Sequence, residues 1–400
     1  MHRTLISRRR VIQDWAALAA SAGLPARAQG IKLGKPGTAS GDLPVHLIKE
    51  MEHASLVDVS ADSESLCLYF SRHPARSFTW NGSWKENRPL GKDEDALRVV
   101  GRGSGVSRYE TRLPSAPNAG SFFADGERLY VETQPVLGSS TATTECILID
   151  LRTGKQQERA EPLGTDAIHF SYRALAGDEL LGIGSNLHTA KTELLMKVKL
   201  PDFREVKRVP FAESRSASLG RTEGPIVVSA DHSTLVCSYD KNVVCRRTED
   251  LGILWTQKTD PALTLWTATI SADAGLVAAY VCDYTGIGQA RTRYVAVFDG
   301  KDGSEITRVS VDALESLAVS PDRKLLAAGQ RVPLRATKAG TQPTVLLFDI
   351  ASGKQVATLI QDQFYGGGSE FLYAGVRSMF TPDGKFLITS GLNTRIWQIG

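Results

Sequence analysis

Three stretches, SADAGLVAAYV (271–281), SPDRKLLAAG (320–329) and TPDGKFLITS (381–390), are one phrase written three times. Each gives Ser or Thr, any residue, Asp, a two-residue turn and then a short apolar run. Asp and Ser oxygens accept backbone N–H groups one or two residues on, so the phrase encodes a tight turn that feeds a strand. Working outward, the phrase recurs at Ser60-Ala61-Asp62 and Ser229-Ala230-Asp231, with weaker copies at Ala124-Asp125-Gly126 and Ala176-Gly177-Asp178. The aspartates therefore stand at 62, 125, 178, 231, 273, 322 and 383. A second marker, an apolar strand followed by Asp, three residues and Gly, appears in ILIDLRTGK (147–155), VAVFDGKDG (295–303) and LLFDIASGK (346–354). Each repeat holds about four short strands, and four-stranded units recurring every 40–60 residues predict an all-β, seven-bladed β-propeller.

The last repeat, FTPDGKFLITSGLNTRIWQIG (380–400), stops after a third strand. The segment Pro44-Val45-His46-Leu47-Ile48-Lys49 precedes the first repeat and is expected to supply the missing fourth strand, closing the ring and covering a sheet edge. Residues 380–400 resemble a WD repeat whose closing Trp-Asp has become Trp397-Gln398, and SPDRKLLAAG with VLLFDIASGK is the next nearest match. The resemblance covers roughly residues 45–400 and implies a propeller related to WD-repeat and similar bacterial proteins. Most other blades lack the Gly-His and Trp-Asp pairs of that family.

The chain has 47 Lys+Arg and 44 Asp+Glu in 400 residues, a net charge of +3. Five of the arginines and Asp14 lie in residues 1–28, which read as a twin-arginine export signal. Ser7, Arg8 and Arg9 open its motif, a weakly apolar stretch follows, and Ala26-Arg27-Ala28 gives the cleavage pattern. The expected organisation is signal 1–28, linker 29–44 and propeller 45–400, in the periplasm or secreted. Without the signal 42 basic and 43 acidic residues remain, a net charge of −1, which removes the global support for a nucleic-acid partner. No run of 18 apolar residues occurs and no Cys follows the cleavage site, so the mature form is expected to carry no membrane anchor.

Catalytic motifs are sparse. GxSxG, the P-loop, HExxH and CxxCH are absent, and no cofactor or metal is expected. Gly101-Arg102-Gly103-Ser104-Gly105 imitates a phosphate cradle without its βαβ context and reads as a surface loop. The seven histidines show no ligand spacing. Cys237 and Cys245 flank SYDKNVV; a three-residue loop Asp240-Lys241-Asn242 would set them opposite each other as a candidate disulfide, the alternative being two buried thiols. Cys67, Cys146 and Cys282 read as packing residues.

The loops joining second to third strands carry a one-sided charge. They read SRHPARS (71–77), QPVLGSSTATT (134–144), SNLHTAKT (185–192), DYTGIGQARTR (283–293) and QRVPLRATKAGTQP (330–343). Arg72, Arg76, Lys191, Arg291, Arg293, Arg331, Arg335 and Lys338 stand in them against the single acid Asp283. Solvated loop tips would account for such residues, and so would an anion-receptive face around the channel mouth. The insert QDQFYGGGSEFLYAG (361–375) is expected over the same face. The reading is an exported binding scaffold for a protein partner or anionic small ligand, after export by the twin-arginine translocase. The alternative is a propeller enzyme or enzyme subunit, resembling lactonases or amine dehydrogenase heavy chains, with its site at the channel mouth.

Overall fold

The computed structural model describes residues 35–400 apart from residues 71–76, 79–83, 86–95, 114–116, 134–142, 163–167, 187–191, 214–225, 240–241, 260–263, 283–292, 312–313, 334–341 and 363–372. Seven antiparallel sheets follow one another along the chain, each a meander of neighbouring strands. Blade 1 comprises Ala54–Val59, Ser65–Phe70, Ala96–Gly101 and Ser107–Arg112. Blade 2 comprises Pro117–Phe122, Arg128–Thr133, Thr143–Asp150 and Gln156–Pro162, and blade 3 Ile168–Ala174, Glu179–Asn186, Thr192–Lys199 and Arg204–Glu213. Blades 4 and 5 are Ile226–Val228, Thr234–Tyr239, Asn242–Arg247, Ile253–Lys258 and Thr264–Ile270, Leu276–Cys282, Arg293–Asp299, Glu305–Ser310. Blade 6 holds Leu314–Val319, Leu325–Pro333, Thr344–Asp349 and Gln355–Ile360; blade 7 holds Arg377–Phe380, Phe386–Ser390 and Thr394–Ile399.

The repeated phrase acts as its chemistry requires. In blade 5 the Ser271 hydroxyl donates to Asp273 (2.8 Å) and accepts the Leu276 N–H (2.9 Å), while Asp273 accepts the Gly275 N–H (3.0 Å). Blades 1, 4, 6 and 7 repeat this pattern through Ser60, Ser229, Ser320 and Thr381. The turn needs a left-handed residue, supplied with φ between 56° and 73° by Ser63, Gly126, Gly177, His232, Ala274, Arg323 and Gly384. Blade 3 departs from the phrase. Its turn closes from the Leu175 N–H to the Glu179 carbonyl, one residue shorter than the others, so Asp178 is no turn acceptor and instead pairs with Arg128 of blade 2. The Gly101–Gly105 stretch is the turn between the third and fourth strands of blade 1, with the Gly101 N–H on the Val106 carbonyl (3.0 Å).

Seven apolar clusters of buried residues fill the spaces between blades, one per interface. The blade 5–6 cluster includes Val295, Val297, Leu326 and Phe348, and the blade 1–2 cluster Leu97, Val99, Leu129 and Ile147. The seventh joins Leu66, Leu68 and Val100 of blade 1 to Ile388 and Ile396 of blade 7, so the blades form a closed ring.

Closure follows the expected exchange. Val45–Met51 pairs antiparallel with Thr394–Ile399, setting Val45 opposite Ile399 and Met51 opposite Thr394. Part of the expected linker is also structural: Ala39–Gly41 pairs with Gln355–Ile360 as a fifth strand on blade 6. Gly41 has φ +129°, and a Cβ there would lie 2.3 Å from the Val356 carbonyl oxygen, so only glycine lets the strand lie this close. Three residues carry no amphipathic period, which is why the strand did not stand out in the sequence. Beneath this strap the Arg395 guanidinium, 1% exposed, makes a two-pronged contact with Asp362 (2.6 and 2.9 Å) and a contact with Glu50 (2.8 Å). Trp397 is fully buried and donates to Thr389 (2.9 Å), whose hydroxyl donates to Gln361 (3.1 Å).

Candidate functional site

The first strand of every blade lines a central channel of about 690 Å³. Counting back two residues from the position that opens each first turn picks out one structurally equivalent tier of its wall. Blades 1–3 place Asp58, Ser121 and Arg173 there; blades 4–7 place Val227, Thr269, Ala318 and Met379. The tier is chemically lopsided, with a polar arc over three consecutive blades and a mostly apolar arc opposite.

Asp58 is packed by its own sheet on one side and by blade 2 on the other. The Phe122 N–H donates to its Oδ2 at 2.7 Å. Burial pushes the carboxyl up from 3.8 to about 6, outweighing the N–H groups of Phe122 and Val59 and the Arg173 charge, which favour the ionised form. The equivalent positions of the other blades hold residues that carry no carboxylate, so the fold does not require one. Arg173 donates through Nη1 to the Tyr172 carbonyl (3.0 Å), and neither Asp58 nor Arg173 makes an ion pair with any described residue. A raised carboxyl costs stability wherever it is ionised. Between the unfolded value near 4 and about 6 the folded state binds more protons, so this group's contribution falls as pH rises and levels off above 6. A two-unit rise corresponds to roughly 3 kcal/mol, reduced by the open side facing the channel. Asp58→Asn is therefore expected to add about 2 kcal/mol of unfolding stability above pH 7 and almost nothing below pH 4, as read by urea melts across pH.

Toward the loop end of the channel lies a second set of charges. Glu315 and Arg377 stand near the starts of their first strands and line the wall. Arg331 approaches Glu315, Nε to Oε2 at 3.7 Å. The short strand Tyr373–Gly375, from the end of the long insert, pairs with residues 331–333 and lies against Glu315, where a Cβ on Gly375 would come within 2.6 Å of the Glu315 side chain. At the turn end, His232 lines the channel in the left-handed conformation, with burial lowering its pKa.

Of the eight basic loop residues, two lie among the described residues. Arg293 begins the third strand of blade 5 opposite Cys282, and Arg331 lies two residues before the end of the second strand of blade 6, opposite Gly375; the topology puts both at the loop end. Arg72, Arg76, Lys191, Arg291, Arg335 and Lys338 lie outside the described residues, as do Ser7, Arg8 and Arg9 of the export motif. The first of these loops is longer than the sequence suggested: the connection runs over residues 71–95 and includes a small hairpin, Ser77–Phe78 against Trp84–Lys85. The sequence reading looked to loops and passed over Asp58 and Arg173. The available signal was a charge inside an apolar inner strand two residues before the turn.

The disulfide between Cys237 and Cys245 is not formed. Tyr239 pairs with Asn242, so the hairpin loop has two residues and the register moves by one. Cys237 then faces Val244 and Cys245 faces Val236, with Cys237 packed in the blade 3–4 cluster and Cys245 in the blade 4–5 cluster. All five cysteines are buried thiols. A thiol reagent is expected to label none of them in the native protein within minutes and all five in denaturant; prompt native labelling of any one would contradict this packing.

A scan against protein-family models found no match, and a search of curated proteins found none. Fold and channel define the class, a seven-bladed β-propeller.

Proposed function

We propose that this chain is an exported binding propeller whose loop end receives an anionic ligand or an acidic face of a protein partner. The observation that carries the reading is continuity. A channel lined by all seven blades carries Glu315 and Arg377 in its wall, with Arg331 beside Glu315, at the end to which the strand order directs the second-to-third connections. Two opposed demands are met there: the channel wall gives a rigid rim, and the loops give reach and charge. Resemblance to WD-repeat proteins points the same way, since such rings serve as platforms, although fold alone does not assign a partner.

A second reading, a propeller enzyme with its site in the channel, is favoured by one observation. A carboxyl raised to about 6 by burial, within the electrostatic reach of an arginine, has the proton affinity of a general acid or base near neutral pH.

The mature chain, residues 29–400, immobilised and passed over cell-envelope extract, tests the binding reading. It is expected to retain an anionic partner that salt releases. Replacing Arg331, Arg335 and Lys338 together by Ala should lower retention about tenfold at low salt. Equal retention by the triple variant, or none by the wild type, contradicts the reading. Replacing Arg8 and Arg9 by Lys should leave the precursor in the cytoplasm, and normal export of that variant contradicts the signal assignment.

A further inference from the structure

Asp58 and Arg173 carry opposite charges at equivalent positions of blades 1 and 3, yet they do not pair with each other. The register explains why. In each first strand the residue two before the turn is among those lining the channel, and blade 2 stands between the two with Ser121. The strand of blade 2 also holds Asp58 in place through the Phe122 N–H at 2.7 Å. The Arg173 guanidinium, which lines the channel, spends one N–H on the neighbouring Tyr172 carbonyl, one of its five donors. The rest of the tier is Val227, Thr269, Ala318 and Met379, whose three apolar members line the channel while packing on the inter-blade clusters.

We propose that this tier is a binding site for a small zwitterion with an apolar body: its ammonium group sits on Asp58, its carboxylate on Arg173, and its side chain against Val227, Ala318 and Met379. The chemistry follows from the parts. A planar guanidinium takes a carboxylate by two parallel N–H bonds. A carboxylate lying among packed strands gains most from a cation that arrives with its ligand. The two charges stand on the first strands of blades 1 and 3, with blade 2 between them, so a molecule bearing only one charge leaves the other residue unpaired. Such mismatch is what makes polar sites selective. The apolar arc then favours an aliphatic or aromatic side chain over a polar one, and a channel of about 690 Å³ is of the size that small-molecule sites occupy. This site lies on the inner strands and uses none of the basic loop residues. Its failure would therefore leave the loop-end reading standing, and the converse also holds.

The test is isothermal titration of the mature chain at pH 8 with three related compounds. L-leucine carries both charges, 4-methylpentanoate lacks the amine, and 3-methylbutylamine lacks the carboxylate. L-leucine is expected to bind with one site per chain, and each single-charge compound about tenfold or more weaker. Arg173→Gln and Asp58→Asn should each reduce L-leucine affinity by at least about tenfold. In Asp58→Asn the preference for L-leucine over 4-methylpentanoate should disappear, a readout that a general loss of structure does not produce. Equal binding of L-leucine and 4-methylpentanoate by the wild type would overturn the zwitterion assignment. So would heats indistinguishable from dilution for all three compounds. Because the three-compound comparison is made on the wild type, it decides the matter even if a variant fails to fold.

Discussion

Removing residues 1–51 is expected to abolish the cooperative melting transition, whereas removing residues 1–34 leaves it unchanged. The longer deletion takes away Ala39–Gly41 and Val45–Met51, the edge strands of blades 6 and 7. Val45 is buried in the blade 6–7 cluster, with Leu43 and Leu47 packed on it, and Met51 packs on the blade 7–1 cluster. At roughly 1.5–3 kcal/mol for each fully buried apolar side chain, these four residues carry about 5 kcal/mol or more. Loss of the backbone ladder exposes Thr394–Ile399 as an edge beside the buried Trp397. A domain's whole stability is about 5–15 kcal/mol, so the ring should open or aggregate. Circular dichroism melts of the two truncations decide it: a sharp transition in the chain beginning at residue 52 would show that the strap is dispensable.

The second large effect is expected at Asp362. Its carboxylate holds the Arg395 guanidinium at 2.6 and 2.9 Å and accepts the Asn393 N–H at 3.1 Å. Arg395 is 1% exposed, so Asp362→Ala leaves a buried cation with Glu50 and the Gln361 side-chain oxygen as its partners. Breaking a buried pair from one side costs about 3–5 kcal/mol, mostly the desolvation of the charge left behind. The double variant Asp362→Leu with Arg395→Met removes both charges and should recover most of the loss, since an apolar replacement of similar volume is often neutral. Urea melts of the single and double variants form the test. A loss below about 1 kcal/mol for Asp362→Ala would mean that Glu50 and solvent suffice. The contact matters because it ties the base of the insert, the last strand and the N-terminal strap at one point.

The fold was readable because its information is local. The Ser-x-Asp turn, with Thr in blade 7, satisfies its own backbone within six residues, and this local chemistry recurs in blades 1, 4, 5, 6 and 7 regardless of what packs around it. The Asp-x3-Gly turns behave in the same way, with Asp150 accepting the Arg152 and Thr153 N–H groups at 3.0 and 2.9 Å. Where locality weakened, the reading slipped. Blade 3 drops a residue from its turn, so Asp178 follows the left-handed Gly177, whereas the other aspartates precede the left-handed residue. In blade 4 two- and three-residue loops are equally compatible with SYDKNVV, and that one residue separates a cross-strand cysteine pair from two thiols on opposite faces.

The channel arc was not readable for a different reason. Asp58, Ser121 and Arg173 come together only when the ring closes and brings first strands of consecutive blades side by side. Taken singly, LVDV and SYRAL are ordinary strand ends. Long loops rich in arginine draw attention in a linear sequence, while a single charge inside an apolar strand gains meaning from the six equivalent positions around it.

The central claim is that the ring presents a ligand site along its channel. Native mass spectrometry of the protein, isolated gently from the cells that produce it, measures this most directly. The account predicts a one-to-one adduct of a small molecule on the wild type that is absent from folded Arg173→Gln. A bare wild-type mass, or the same adduct on both proteins, would contradict it.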